Sequence, residues 1–432
     1  MTAGRYGPPR HGPLQQGPPQ PGPFRRDRLT AAAYSGLAVF AYLLYALGPV
    51  LPLLRQDLRL SYQTMSLHST AFAAGAVVTN LVFERLRGRF GYRRLFWPAA
   101  CALAVGAALL ATGSNVAVTL TAATVGGIGG SLLQTTALAV LAEHHGELRE
   151  RALLEANAGA SATALLAPLV IGALQAFGAA WNWSLLLPAL AVAALYALLR
   201  REPLRPGAVT APQRQHEQED GSGRLPGAFW ILSTLCAVVV ATEFCVVFFG
   251  SPLLSDITDL TDHQAATLMA LFYGGTLLGR LAGSRVTGAT RWPTPRLVLA
   301  TLVVTGAGVL ALWTAATTWM ALVGLFVSGL GIANLFPLTL SLAVGAAPGR
   351  TGRATAYVQL LVGAAIMLAP LLLGSLSDRL GIRSAFSVAG ALVLLAVLLL
   401  SLSGRDATGQ APAPLAHAAR TDPRGATEHA DR

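Results

Sequence analysis

Lysine is absent from this 432-residue chain, and charged residues of either sign make up only 12% of it. A soluble domain carries about 25%. All 31 basic residues are arginine, against 20 acidic ones. They are scattered between apolar blocks, so the net charge of +11 forms no basic patch, and no nucleic-acid partner is expected. A phosphate-binding Gly-rich loop ending in Lys-Ser/Thr cannot exist without lysine, which excludes ATP-driven work by this chain alone. Cysteine is scarce too. Cys101, Cys236 and Cys245 all fall in apolar segments, and their odd number argues against a disulfide framework or a zinc site. The adjacent histidines of "EHHGELRER" (Glu143–Arg151) read as solvated loop residues. No metal, cofactor or catalytic residue is expected, because no His, Asp, Ser or Cys cluster gathers near one interface.

What is present is apolar: 53% of the residues are hydrophobic, in blocks of roughly twenty, the length of helix that crosses a hydrocarbon core. The chain reads as an all-α integral membrane protein with twelve spans. They lie near 29–54, 62–83, 95–113, 116–141, 152–177, 182–200, 228–254, 263–284, 296–314, 317–346, 354–376 and 384–403. The longest polar interruption, with "PQRQHEQEDGSG", divides them six and six. This gives a disordered cytoplasmic tail at 1–28, a six-helix bundle at 29–200, a linker at 201–226, a second bundle at 227–403 and a second tail at 404–432. The Pro-, Gly- and Gln-rich start has no apolar core and does not read as a signal peptide.

Arginine fixes the expected orientation. With the N-terminus inside, 27 arginines fall on the cytoplasmic side and four (Arg55, Arg59, Arg379, Arg383) outside. A multi-pass protein of the cell membrane with both termini cytoplasmic is expected, surrounded by lipid and monomeric.

The chain also repeats itself. "LLAPLVIG" (Leu165–Gly172) returns 202 residues later as "MLAPLLLG" (Met367–Gly374). The same offset places Arg151-Ala152 on Arg353-Ala354, Asn157 on Gln359, and Gly127-Ile128-Gly129 on Gly329-Leu330-Gly331. An offset of six helices preserves membrane orientation, so the halves are parallel pseudo-repeats. Proline in a helix frees carbonyls and bends the chain, tolerable where neighbours or water satisfy them. Matched as a pair, Pro168 and Pro370 read as hinge or gate elements, one in each half.

The loop "ERLRGRFGYRR" (Glu84–Arg94), with "GPVLPLLRQDLRLS" at the end of helix 1 and "LSDRLGIRSAF" at the helix 11–12 junction, resembles the major facilitator superfamily over roughly 29–403. Arg89, Gly91, Arg93 and Arg94 fit the signature of that family's loop after helix 2, while Glu84 replaces its first glycine and Gly88 its aspartate. The resemblance implies two six-helix halves rocking about a central cavity lined by helices 1, 4, 7 and 10. It also implies that this loop gates the inner side. Two features of the family's drug–proton antiporters differ here. Ala123 stands where they carry arginine in helix 4, and only Gly159, Ala167-Pro168 and Gly172 echo their helix 5 glycine pattern.

Polar residues inside spans are the candidates for chemistry, since a charge at the bilayer centre costs about 3 kcal/mol on insertion scales. Glu243 lies within a turn of the middle of its span and is the first proton-coupling candidate; Glu155, nearer an interface, is the second. Asn157 and Gln359 pair through the repeat, Gln134 shares a face with Gly127 and Gly130, and Asn334 lies at similar depth. Tyr34, Tyr42 and Tyr45 fall within an arc of about 80°. Tyr42, Tyr45, Gln134, Asn157, Asn334 and Gln359 are therefore the candidate cavity residues, while His68 and Asn80 read as helix–helix hydrogen bonds. The expected function is secondary transport of a small organic molecule, with a proton or other cation as coupling ion. Proton-coupled export comes first and proton-coupled uptake second. A membrane-embedded enzyme and a transport-silent receptor are the other classes.

Overall fold

A computed structural model describes residues 24, 26–201, 224–289 and 292–409. The two tails and the linker, expected from the sequence to be flexible, lie largely outside the described residues. Within them the fold is helical throughout: α1 (Arg28–Leu58), α2 (Tyr62–Thr112), α3 (Val116–His145), α4 (Arg149–Ala176), α5 (Leu187–Leu199), α6 (Gly227–Ile257), α7 (Asp262–Ala289), α8 (Thr294–Trp313), α9 (Thr318–Ile332), α10 (Leu335–Gly345), α11 (Thr351–Leu380), α12 (Ile382–Ala385) and α13 (Ser387–Gly409). Side-chain caps open several of them. Asp27, Ser61, Asn115 and Thr317 each accept a hydrogen bond from the backbone N–H three residues on.

Eleven helical stretches among the described residues are long and apolar enough to cross a membrane. One of them, α2, has 51 residues. At 1.5 Å per residue it would run about 76 Å, more than twice a hydrocarbon core of about 30 Å. It turns back at Gly91, whose φ of 72° and ψ of 166° are not helical and suit a residue without Cβ. Those two legs bring the crossings to twelve, as the sequence implies.

Three boundaries differ from expectation. The span expected at 317–346 is two helices, broken where Asn334 takes φ −112° and ψ 0°. The sixth span opens with a 3-10 stretch, Trp181–Leu186, before α5. The eighth, expected to end near 284, continues to Ala289, so Arg280, already within the expected span, lies well inside the helix.

The repeat is visible in the packing. Gly127 of α3 sits against the Phe72 carbonyl of α2, and Gly329 of α9 against the Phe272 carbonyl of α7. Gly129 meets the backbone of Leu103, and Gly331, 202 residues later, that of Thr305. In each case a Cβ would drive the helices apart, so both halves are built on one small-residue contact. The proline helices then cross between halves: α4 packs on α7, and α11 on α2. Pro168 and Pro370 are buried inside these otherwise continuous helices.

Cross-half hydrogen bonds gather toward the end of the molecule away from the chain termini. There Asp378 of α11 accepts from the N–H groups of Tyr62 and Gln63, Thr70 donates to the Met367 carbonyl, and Gln175 pairs with His263. Arg55 lies 3.7 Å from the centroid of the Tyr62 ring, and the Trp181 indole donates to Asp57. This end is closed.

Candidate functional site

Midway along the bundle, four helices bring polar groups to one point. Glu243 is sixteen residues into α6, and about 24 Å of helix separates it from Gly227. Tyr45 of α1 donates its hydroxyl to Glu243 Oε1 at 3.5 Å, a long and weak bond in this state. Tyr273 of α7 donates to the Tyr45 carbonyl at 2.9 Å, and the two rings meet edge to face with centroids 5.4 Å apart. Arg280 of α7 donates to Ser161 Oγ of α4 and lies close enough to attract the Glu243 carboxylate. Phe272, Thr276 and Arg280 recur every four residues, which puts them on one face of α7.

These side chains, with Ala164, enclose a small cavity. It leaves about 10 Å³ in which a water centre can sit, room for about one water. A carboxylate, a guanidinium and two phenols thus share one small, partly open space, contributed by both halves of the chain. The cluster holds no nucleophile–base pair. Its chemistry is charge pairing, proton binding and hydrogen bonding.

The other candidate residues are dispersed. Tyr42 is buried and donates to the Ser184 carbonyl at 3.1 Å, away from Glu243. Glu155 accepts from Arg26 at 2.9 Å twice, from Arg151 at 3.2 Å and from Tyr34 at 3.3 Å, an ion-pair network at the end bearing the termini. Beside it, Asp27 pairs with His144 at 2.7 Å. Burial pushes the Asp27 carboxyl up, but hydrogen bonds from Thr30 and His144 outweigh it and hold it below the ordinary carboxylate range. Asn157 and Gln359 are exposed at matching places on α4 and α11, and Asn157 donates back to the Leu153 carbonyl of its own helix. Gln134 is half-buried in α3. Asn334 donates to the Gly279 carbonyl at 2.7 Å, bracing α7 beside Arg280. His68 and Asn80 make the expected inter-helix bonds, to Thr119 at 2.8 Å and from Thr135 at 3.2 Å.

In the loop after the first leg of α2, Gly91 makes the turn, Arg89 and Arg94 are exposed, and Arg93 donates to the Arg200 carbonyl. With glycine in the aspartate position, the charges gather on Arg87 instead. It bonds Glu84 at 2.6 Å and Glu143 at 3.3 Å, and Tyr92 also donates to Glu143.

The model of the Major Facilitator Superfamily matches this sequence over 33–254 and again over 232–427. The chain belongs to that superfamily. It is a multi-pass membrane transporter of the secondary kind and not an enzyme. Solved structures agree in fold. A bacterial homolog to the human lysosomal transporter Spinster, inward-facing and unoccupied, superposes with a TM-score of 0.72 at 14% identity, covering 90% of this chain and 100% of that one. The xylose transporter XylE from E. coli, partially occluded and inward open, gives 0.69 at 15% identity, covering 87% and 97%. Among curated proteins, glucose/galactose transporters of two Brucella abortus strains are 31% identical over 161 residues. That match spans 37% of this chain and 37% of theirs.

Proposed function

We propose that this superfamily member takes up a small organic solute together with a proton, and that Glu243 carries the proton. One observation supports this above the rest: a carboxylate lies at the junction of the two halves, between Tyr45 of the first and Arg280 of the second. A group in that place feels any change in how the halves meet. As the closed end opens, Glu243 would exchange the Arg280 face for water, which alters its affinity for a proton. In this reading the bundles 29–200 and 227–403 rock as bodies, with the inner side open and the outer side sealed at Asp378. Both termini and the linker are cytoplasmic, on the arginine distribution.

The sequence ranks export ahead of uptake, but export finds no support in the relatives or in the site. Ala123 in place of the antiporter arginine, and the missing glycines of helix 5, favour uptake. Purified protein in liposomes with an acidic exterior tests the reading. Wild type should accumulate its solute against a gradient, and Glu243→Gln should allow only equilibrative exchange. Undiminished accumulation by Glu243→Gln would remove the proton from this site.

A further inference from the structure

We propose that the solute is a small organic monocarboxylate that docks on Arg280; this rests on the proton reading of Glu243 above. The argument is charge balance. In this state Arg280 and Glu243 line the same space of about one water, and the guanidinium attracts the carboxylate across it. The helices packed on α6 supply no substitute. From α1 comes Tyr45, and from α7 come Tyr273 and Arg280. No residue of α9 or α10 is titratable, while Arg353, Tyr357, Asp378 and Arg379 of α11, Arg383 of α12, and Arg405 and Asp406 of α13 lie within about two turns of helix ends or in short end segments.

Protonating Glu243 therefore leaves a half-buried guanidinium within the bundle without that counter-charge, and an unpaired charge within a membrane span is costly. A neutral solute leaves that cost in place. A carboxylate removes it by accepting two parallel N–H bonds from the guanidinium fork. Ser161 Oγ already occupies one edge of Arg280 from the opposite half, which holds the fork in place. Proton and anion then bind together or not at all: Glu243 exchanges Arg280 for a proton, Arg280 exchanges Glu243 for the solute, and the net charge of the site is unchanged. The phenols of Tyr45 and Tyr273 and the ring of Phe272 would border the organic body once the halves part, and they offer no second cation for a dianion.

The test follows binding and protonation in the purified full-length chain. Infrared difference spectra record the protonated carboxyl band of Glu243, assigned by its absence in Glu243→Gln, while a panel of monocarboxylates from acetate to decanoate, with pyruvate and galacturonate, is titrated beside galactose. At least one acid should bring up the band, with an affinity that falls about tenfold per pH unit on the alkaline side, as one linked proton requires. Glu243→Gln should bind the same acid with no pH dependence, and Arg280→Gln should lose it. Uptake of that acid in liposomes should be insensitive to a potassium–valinomycin potential, because proton plus monoanion carry no net charge.

If no acid in the panel brings up the band, or if galactose alone does and its proton-driven uptake responds to the potential, the monocarboxylate is wrong while the proton site stands. If Glu243→Gln still accumulates solute against a gradient, the proton reading fails first. Should either variant fold poorly, the wild-type band and the response to potential decide the question without it.

Discussion

Asp378, two residues before the end of α11, accepts the backbone N–H groups of Tyr62 and Gln63 at 2.8 and 2.9 Å and so caps the start of α2 from the opposite half. A carboxylate on the exposed N–H groups of a helix start is favoured by both hydrogen bonding and the helix dipole. The contact exists only while this end is shut. Asp378→Ala should therefore favour the oppositely open state, by about 1.4 kcal/mol or tenfold in population if one charged hydrogen bond's worth is lost. A cysteine placed at buried Leu253, in a chain freed of its three native cysteines, reports the change. Its reaction with a membrane-impermeant maleimide should quicken about as much. An unchanged rate would mean that the cap does not hold the gate.

The Ala-Pro motifs acquire a second meaning at their glycines. A Cβ on Gly374 would meet Ser66 Oγ and come within 2.7 Å of the Tyr62 carbonyl, and one on Gly172 would meet the methyl and hydroxyl of Thr267. Each motif thus joins a helix-internal proline to a contact surface four residues on, where the other half seats. Gly374→Val should hold the closed end apart and slow turnover at least tenfold while leaving expression near normal. Reaction of the same Leu253→Cys reporter should rise. Normal turnover in Gly374→Val would show that α2 and α11 need not meet here.

The prolines are tested separately. Pro168→Ala with Pro370→Ala restores a backbone donor in each helix and straightens both if they act as hinges. Transport should slow while binding affinity and expression stay close to wild type. A double variant that turns over normally would reduce the pair to packing.

The architecture was open to sequence reasoning because each span is a long apolar block and the repeat preserves its offset. The site was half legible. Glu243 and Tyr45 stand out as polar groups in apolar surroundings, yet the count of 27 cytoplasmic arginines includes Arg280, which lies inside its own span whether that span ends near 284 or at Ala289. The Phe272, Thr276, Arg280 stripe was the available signal. The tyrosines of α1 teach a different limit. An arc of about 80° is wide enough for three different neighbours, and Tyr34, Tyr42 and Tyr45 face Glu155, Ser184 and Glu243 in turn. Apolar length gives a span, but the partner of each polar residue depends on rotations that only tertiary packing sets.

Moving Arg280 into the bundle leaves 26 arginines on the proposed cytoplasmic side against four, so the orientation argument survives. Reporter fusions at the linker and the C-terminus should give cytoplasmic signals. A linker reporter active only outside the cell would invert the direction of transport proposed above.

Asn334 was a candidate for touching the solute, and its geometry assigns it another task. It breaks the helix between α9 and α10 and donates to the Gly279 carbonyl, one residue before Arg280. It also fills the space that a side chain on Gly283 would need. Removing the amide leaves a part-buried carbonyl without this partner, a loss of about 1–3 kcal/mol. Asn334→Ala should therefore lower the melting temperature by several degrees, about 2–4 °C per kcal/mol if the half that holds it unfolds as a unit of roughly 150–250 residues. It should also weaken solute binding through the position of Arg280, raising KM more than it lowers kcat, with the pH dependence of uptake retained. Asn334→Asp, which keeps the shape but loses the donor, should resemble the alanine variant. If both variants keep wild-type stability and lose binding outright, Asn334 contacts the solute directly and the bracing role is wrong.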